Sequence, residues 1–314
     1  MEEKIHDVVM VGAGPSALAA AVYTTREDIQ TVLYEKGVIG GLAAITDQVD
    51  NYPGFPEGIP GLTLADQLQK QAERFGAEIE FGDVSAIHDD GDVKTLIVDG
   101  VKVKAKTVLI ATGSDYNKIG VPGELEYYGR GVHYCATCDG AFYREKRLVV
   151  VGGGNSAIQE ALFLTRFTTH IDLLVRSTVK ASEVLQHELQ KFVDEGKITV
   201  HLNTTTEEIV AVEGKVKSVN VIKNGVPAVI ETDGVFVFVG LKPNTSFLKD
   251  SGVELDEQGL IKTDKHLATT MPGVFASGDV RSGATMQIAS AVGEGATAAL
   301  SIREYIDGQK IAVS

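Results

Sequence analysis

His6-Asp7-Val8-Val9-Met10-Val11-Gly12-Ala13-Gly14-Pro15-Ser16-Ala17 decides the fold of this chain. His6 to Val11 reads as a short apolar strand, and two glycines then open a turn. Ala17 to Thr25 has helical composition, and a second apolar strand, Thr31 to Tyr34, ends at Glu35. Strand, glycine turn, helix and strand in that order open a βαβ dinucleotide-binding unit. Gly12 and Gly14 allow a tight turn and a close approach of backbone to a pyrophosphate. Ala17, where a third glycine often stands, keeps helix and strand close. The helix N-terminus then offers unpaired N–H groups to phosphate. Glu35 is placed to bind ribose hydroxyls and would repel a 2′-phosphate, so this site is expected to hold FAD or NAD and not NADP.

A second copy of the plan begins with the apolar run Leu148 to Val151. Gly152-Gly153-Gly154-Asn155-Ser156-Ala157 follows, then a helix from Ala157 to about Thr165 and a strand from His170 to Val175. No acid ends this strand. Arg176 and Lys180 stand there instead, which favours a 2′-phosphate and hence NADPH over NADH, unless both are merely solvated.

The flanking elements repeat as well. Leu64 to Phe75 predicts an amphipathic helix, Val93 to Val98 and Lys102 to Lys106 a hairpin at Asp99-Gly100, and Thr107 to Thr112 a buried strand before Gly113. The second half offers a helix over Glu183 to Glu195 and strands over Val216 to Lys223 and Ala228 to Thr232 around Asn224-Gly225. A buried strand follows, from Gly234 to Val239. Val274 to Ala276 reads as one more strand, and Thr285 to Ile306 as a long helix. If this tail completes the first domain, the second is inserted in it. The expected fold is α/β: two Rossmann-like three-layer ββα nucleotide-binding domains, residues 1–116 with 246–314, and residues 117–245.

The only two cysteines of 314 residues lie in Cys135-Ala136-Thr137-Cys138-Asp139. A C-x-x-C beside a βαβ pattern reads as a dithiol cycling with its disulfide. Zinc would need four ligands, and only His133 is near. A purely structural disulfide would close a very tight loop for little entropic gain. Asp139 is either a general acid for a departing thiolate or a surface aspartate, and Asp279 is either an acceptor for sugar or ribityl hydroxyls or a plain loop residue.

Composition narrows the classes. Hydrophobic residues are 44% and charged residues 23%, ordinary for a globular protein. A formal charge of −14 argues against nonspecific nucleic-acid binding. The Met-Glu-Glu-Lys start carries no signal-peptide pattern, and no apolar run approaches membrane-spanning length. A lone cysteine pair at this spacing suits a reducing cytosol, so a cytoplasmic location is expected.

These residues together resemble low-molecular-weight thioredoxin reductases, of the class II pyridine nucleotide-disulfide oxidoreductases. The likeness covers nearly the whole chain. It rests on Gly12-Ala13-Gly14-Pro15, Gly40-Gly41, Asn51-Tyr52-Pro53-Gly54, Ala111-Thr112-Gly113 and Cys135-Ala136-Thr137-Cys138-Asp139-Gly140. Gly152-Gly153-Gly154-Asn155-Ser156-Ala157 and Pro272-Gly273-Val274-Phe275-Ala276-Ser277-Gly278-Asp279-Val280 add to it. The resemblance implies FAD in the first domain on Gly12, Gly14, Pro15, Ser16, Glu35, Gly41 and Leu42. Asn51, Ala111, Thr112, Gly113, Gly278, Asp279, Gln287, Ile288 and Ala289 are further implied contacts. It implies NADPH, with NADH as the weaker alternative, on Gly152, Gly154, Asn155, Ser156, Ala157, Arg176 and Lys180.

The implied reaction passes a nicotinamide hydride to the flavin and two electrons to Cys135–Cys138. The dithiol then reduces a thioredoxin or thioredoxin-like protein. Cys135 would be the exposed attacking thiol, Cys138 would face the flavin, and Asp139 would serve as acid. A homodimer and a rotating inserted domain are also implied. Two positions depart from the family. NADPH-specific members carry H-R-R-x-x-x-R where Val175-Arg176-Ser177-Thr178-Val179-Lys180-Ala181 stands, and Leu42 replaces a glutamine at the flavin loop. The rival readings are a dithiol oxidase passing electrons to oxygen, a reductase fed by ferredoxin or a deazaflavin, and a noncatalytic redox sensor.

Overall fold

A computed structural model describes residues 4–46 and 48–313, with side chains to residue 308. The chain divides into two compact units, Met1–Asp115 with Lys242–Ser314, and Tyr116–Leu241.

In the first unit, β1 (Ile5–Val11) is followed by α1 (Pro15–Thr25) and β2 (Thr31–Glu35). Pro15 suits the first turn of α1, where its missing N–H leaves no bond unmade. α1 is buried on nearly every side, so its Ala-rich sequence is a packing requirement rather than an amphipathic pattern. Next come α2 (Gly41–Ala44), α3 (Gly61–Arg74), β3 (Glu78–Phe81), β4 (Val84–Asp89), β5 (Lys94–Val98) and β6 (Val101–Ile110). β1, β2 and β3 run parallel, with β6 on the other side of β1. Val8 to Val11 are buried on both faces, as a central parallel strand requires.

β6 corrects the sequence reading, which separated Lys102–Lys106 from Thr107–Thr112. The structure runs one strand of ten residues. Its first half pairs antiparallel with β5, and its second half parallel with a returning strand. The change of partner along one edge mimics a boundary in sequence. Asp99 and Gly100 both take positive φ, 47° and 80°, as the expected hairpin turn requires. The β4–β5 hairpin covers one face of the sheet through Val84, Ile87, Leu96 and Val98, and α1 packs on the other.

The chain crosses to the second unit through β7 (Ser114–Tyr116). There follow β8 (Val132–His133), α4 (Ala136–Asp139), a 3₁₀ turn over Gly140–Tyr143, β9 (Arg147–Val151), α5 (Asn155–Leu164), β10 (His170–Leu174) and α6 (Glu183–Asp194). β11 (Ile198–His201) completes a parallel sheet ordered β11-β10-β9-β15-β8, in which β15 is Gly234–Val237. β12 (Thr204–Val212), β13 (Lys215–Lys223) and β14 (Val226–Glu231) form a separate antiparallel meander. α5 and α6 cover one face of the sheet and the meander the other, giving three layers. The α/β fold with two Rossmann-like units matches the expectation.

β16 (Leu241–Pro243) returns the chain, and β17 (Val274–Ala276) joins the first sheet beside β6. α7 (Ile288–Val313) starts three residues later than expected, because Met286 takes φ 56° and cannot sit in a helix. α7 packs tightly on α1. A Cβ at Gly295 would collide with the Ser16 carbonyl, and its near approach needs glycine.

Candidate redox active site

The first unit carries a cleft of about 300 Å³ at the C-terminal end of β1. Gly12 holds φ 98°, and a Cβ there would lie 2.6 Å from the Ala111 carbonyl oxygen, so only glycine fits. Gly14 has nothing within 4 Å of its would-be Cβ, which leaves backbone bare toward the cleft. Pro15, Ser16, Gly41, Leu42, Ala111, Thr112 and Gly113 share this wall, with Gly278, Asp279, Gln287 and Ile288 facing them. Asn51 donates its amide to Gln287 Oε1 at 3.1 Å and so reaches the site indirectly. Ala289 is exposed in the first turn of α7, and Ala291 takes the wall position instead. Ser16 hydrogen-bonds Ser277 at 2.6 Å, tying the glycine turn to the end of β17.

Two carboxylates set the polarity of this cleft. Glu35 accepts the Ala13 N–H at 2.8 Å and the Gly37 N–H at 2.7 Å. Its oxygens keep lone pairs for a sugar hydroxyl, since a carboxylate accepts about four hydrogen bonds. Burial first, then the Glu294 carboxylate, raises Asp279 to about 6. Glu294 is itself held by Arg281 at 2.6 Å and by the Gly278 N–H. Among the described residues no donor reaches the Asp279 carboxyl, so this desolvated acceptor suits an incoming hydroxyl. Bare glycine backbone, a helix N-terminus and two acceptors for hydroxyls together fit FAD.

The second unit carries its own cleft, about 700 Å³. Gly152 takes φ 147°, and a Cβ on it would meet the Phe238 carbonyl and, at 2.7 Å, the Ala157 methyl. Gly154 is open as Gly14 is. Asn155, Ser156, Ala157, Arg176 and Lys180 all line this cleft, as do Thr204, Thr205 and Thr206. Asn155 also accepts the Ser182 N–H at 2.8 Å, and the Lys180 N–H donates to the Gly153 carbonyl at 2.7 Å, pinning the loop that carries both cations. Among the described residues no acid lines the wall. Lys118 joins Arg176 and Lys180 there, so the cleft offers three cations to an anionic ligand. A phosphorylated nicotinamide nucleotide fits these donors. Sequence reasoning missed Lys118, which lies outside the repeated glycine-turn units and carries no motif.

Cys135 and Cys138 form a disulfide in the same unit. Cys135 caps α4, and the Cys138 N–H donates to its Sγ at 3.2 Å. On reduction that donor favours negative charge on the Cys135 sulfur. Cys138 is the more exposed of the pair and Cys135 is half-buried, the reverse of the exposure expected from the resemblance, because Cys135 is the N-cap packed at the start of α4. Asp139 ends α4, its side chain 20% exposed, with Oδ2 3.2 Å from His133 Nδ1. The arrangement can exchange thiol for disulfide, with Asp139 next in sequence to Cys138. His133, weighed in sequence only as a stray metal ligand, is instead that carboxyl's neighbour.

The family model for pyridine nucleotide-disulphide oxidoreductases matches residues 6–295. The chain is 42% identical to the thioredoxin reductase of Listeria innocua serovar 6a, over 99% of this chain and 97% of that protein. It is 41% identical to the thioredoxin reductase of Bacillus subtilis strain 168, over 98% and 96%. The crystal structure of thioredoxin reductase from Streptococcus pyogenes MGAS5005 superposes with a TM-score of 0.92 at 37% identity, covering 97% of this chain and 99% of that one.

Proposed function

The chain belongs to the pyridine nucleotide-disulphide oxidoreductase family, and on that premise we propose that it reduces the disulfide of a thioredoxin or thioredoxin-like protein. It is a flavin-dependent oxidoreductase of the thioredoxin-reductase type, using FAD and a reduced nicotinamide nucleotide. The observation that carries the reading is the Cys135–Cys138 disulfide, in the same unit as the cationic cleft.

Each residue has a task in this reading. Gly12, Gly14 and the α1 N-terminus hold the FAD pyrophosphate, while Glu35 and Asp279 take hydroxyls of the cofactor. Gly152 and Gly154 hold the nicotinamide nucleotide's pyrophosphate, and Arg176, Lys180 and Lys118 draw its 2′-phosphate. The acid-free wall makes NADPH the preferred donor. Bound FAD supplies the two-electron carrier between the nicotinamide hydride and the disulfide. The Cys135 thiolate, favoured by the Cys138 N–H, attacks the protein disulfide, and Cys138 resolves the mixed disulfide. Asp139 gives a proton to the departing thiolate.

We assign FAD to the unit of residues 1–115 with 242–314, and NADPH to the inserted unit. A homodimer follows from the family resemblance. Among the described residues no helix is long and apolar enough to cross a membrane. We place the enzyme in the cytoplasm because a lone reactive cysteine pair works where thiols stay reduced. Steady-state turnover with NADPH, NADH and a thioredoxin tests the whole reading. Oxygen consumption from a small dithiol, without nucleotide or protein disulfide, would instead indicate a dithiol oxidase.

A further inference from the structure

The wall of the second unit's cleft that carries Lys118 is built on a buried charge. Residues 117–124 follow β7 and are tied to the unit at two points. The Asn117 N–H donates to the Gly240 carbonyl at 3.1 Å, and the Pro122 carbonyl accepts the Ile209 N–H at 3.0 Å. Glu124 then reaches back along the segment. Its Oε1 accepts the Ile119 N–H at 2.9 Å, and its Oε2 accepts the Gly120 N–H at 2.7 Å. Oε1 also accepts the Tyr134 hydroxyl at 2.7 Å. Glu124 is 1% exposed. Burying a carboxylate is costly unless donors surround it, and these three donors offset that cost.

Tyr134 carries this anchor to Lys118. Burial, then the hydrogen bond to Glu124, pushes the Tyr134 phenol far above its ordinary range, so it stays protonated and keeps donating. The Tyr134 ring stacks on Tyr116 with centroids 5.3 Å apart. The Lys118 ammonium stands 3.7 Å from the Tyr134 centroid and 5.4 Å from that of Tyr128. A phenol that donates to a carboxylate gains electron density in its ring, which strengthens the attraction for a cation. The ring attracts the ammonium as a charge and sets its place before any ligand arrives. Arg176 and Lys180 line the same cleft, while Val175 and Ser177 stand where NADPH-specific relatives carry histidine and arginine.

We propose that Lys118 is a specificity-determining contact for the 2′-phosphate, and that Glu124, acting through Tyr134, is the positioning residue that holds it at the cleft. The proposal rests on the reading above that this cleft takes a phosphorylated nicotinamide nucleotide. It names the element that compensates for the incomplete arginine pattern. A lysine with free rotamers loses them on binding a phosphate, whereas one already seated on an aromatic face loses fewer.

The test uses FAD-loaded protein and two ligands that differ only in the 2′-phosphate, 2′,5′-ADP and 5′-AMP. Calorimetry gives both dissociation constants, and their ratio removes general damage to the cleft. The wild-type ratio should favour 2′,5′-ADP. Lys118→Met should lower it roughly tenfold, the loss of one charge-assisted contact. Lys118→Arg keeps the charge and stacks on a ring, so it should restore most of the ratio. Tyr134→Leu and Glu124→Gln should each lower it by roughly two- to tenfold, the cost of ordering a loose side chain. Tyr134→Leu combined with Lys118→Met should be no worse than Lys118→Met alone. Should Glu124→Gln melt early, Tyr134→Phe decides, because it keeps the ring and removes only the hydroxyl that bonds Glu124. A lowered ratio then supports the positioning role, and an unchanged one overturns it. A high wild-type ratio that Lys118→Met leaves unchanged overturns this proposal alone. A wild-type ratio near one defeats the preference for NADPH and this proposal with it.

Discussion

The Glu35 carboxylate accepts the N–H of Ala13 at 2.8 Å, binding the end of β2 to the glycine turn 22 residues earlier. The same side chain accepts the Gly37 N–H, so one acid orders both walls of the cleft before any ligand arrives. Glu35→Ala strips two N–H groups of their acceptor and removes the cofactor's hydroxyl partner. FAD affinity should fall about tenfold or more, and stability by roughly 1–3 kcal/mol. Flavin content per chain and the melting temperature check both. Full flavin content after dialysis would count against the assigned role.

Asp279 gives a pH-dependent prediction. Burial and Glu294 raise its carboxyl to about 6 in the folded protein. A raised pKa means that its stabilising contribution is complete below the unfolded value and lost as pH rises through about 6. In FAD-free protein, Asp279→Asn should therefore be more stable than wild type by roughly 1–3 kcal/mol at about pH 7.5, with the gain shrinking toward about pH 4. The same variant should retain FAD less well. Thermal unfolding across pH decides it, and a gain independent of pH would refute the assignment.

The nucleotide turns were legible because their chemistry is local. Gly12, Gly14, Gly152 and Gly154 advertise their backbone demands within a few residues of strand and helix. The Asp99-Gly100 and Asn224-Gly225 hairpins were legible for the same reason, and Asn224 and Gly225 take φ 51° and 81°. What escaped depends on tertiary pairing. β6 looked like two strands because its edge partner changes midway. β12 was hidden by its mixed Thr and Glu composition, β3 and β11 by their shortness. Lys118 lies outside the repeated glycine turns, and the His133–Asp139 contact forms across the short turn from β8 into α4, where no motif announces it.

Asp139→Asn should slow protein-disulfide reduction by about 10²–10⁴-fold while FAD stays bound, the range expected of a general acid. Its neighbour His133 holds the carboxyl in place, so loss of the proton and not of position is what the variant reads. Turnover with a thioredoxin measures it, and an unchanged rate would make Asp139 a bystander.

Nucleotide choice should favour NADPH, though less sharply than in relatives with the full arginine pattern. Arg176 supplies one planar contact, Lys180 and Lys118 only point charges, and Ser177 a neutral hydroxyl. Arg176→Ala should lower kcat/KM for NADPH by roughly tenfold or more and leave NADH nearly untouched. Equal use of both nucleotides by the wild type would refute the preference.

The central claim is that electrons leave the enzyme through Cys135 and Cys138. It is tested most directly by rapid mixing of Cys135→Ser and Cys138→Ser holoenzymes with NADPH and a thioredoxin, following flavin absorbance and thioredoxin thiols together. The account predicts that each variant still bleaches its flavin but forms no free thioredoxin dithiol catalytically. Near-normal thioredoxin reduction by either single-cysteine variant would contradict it.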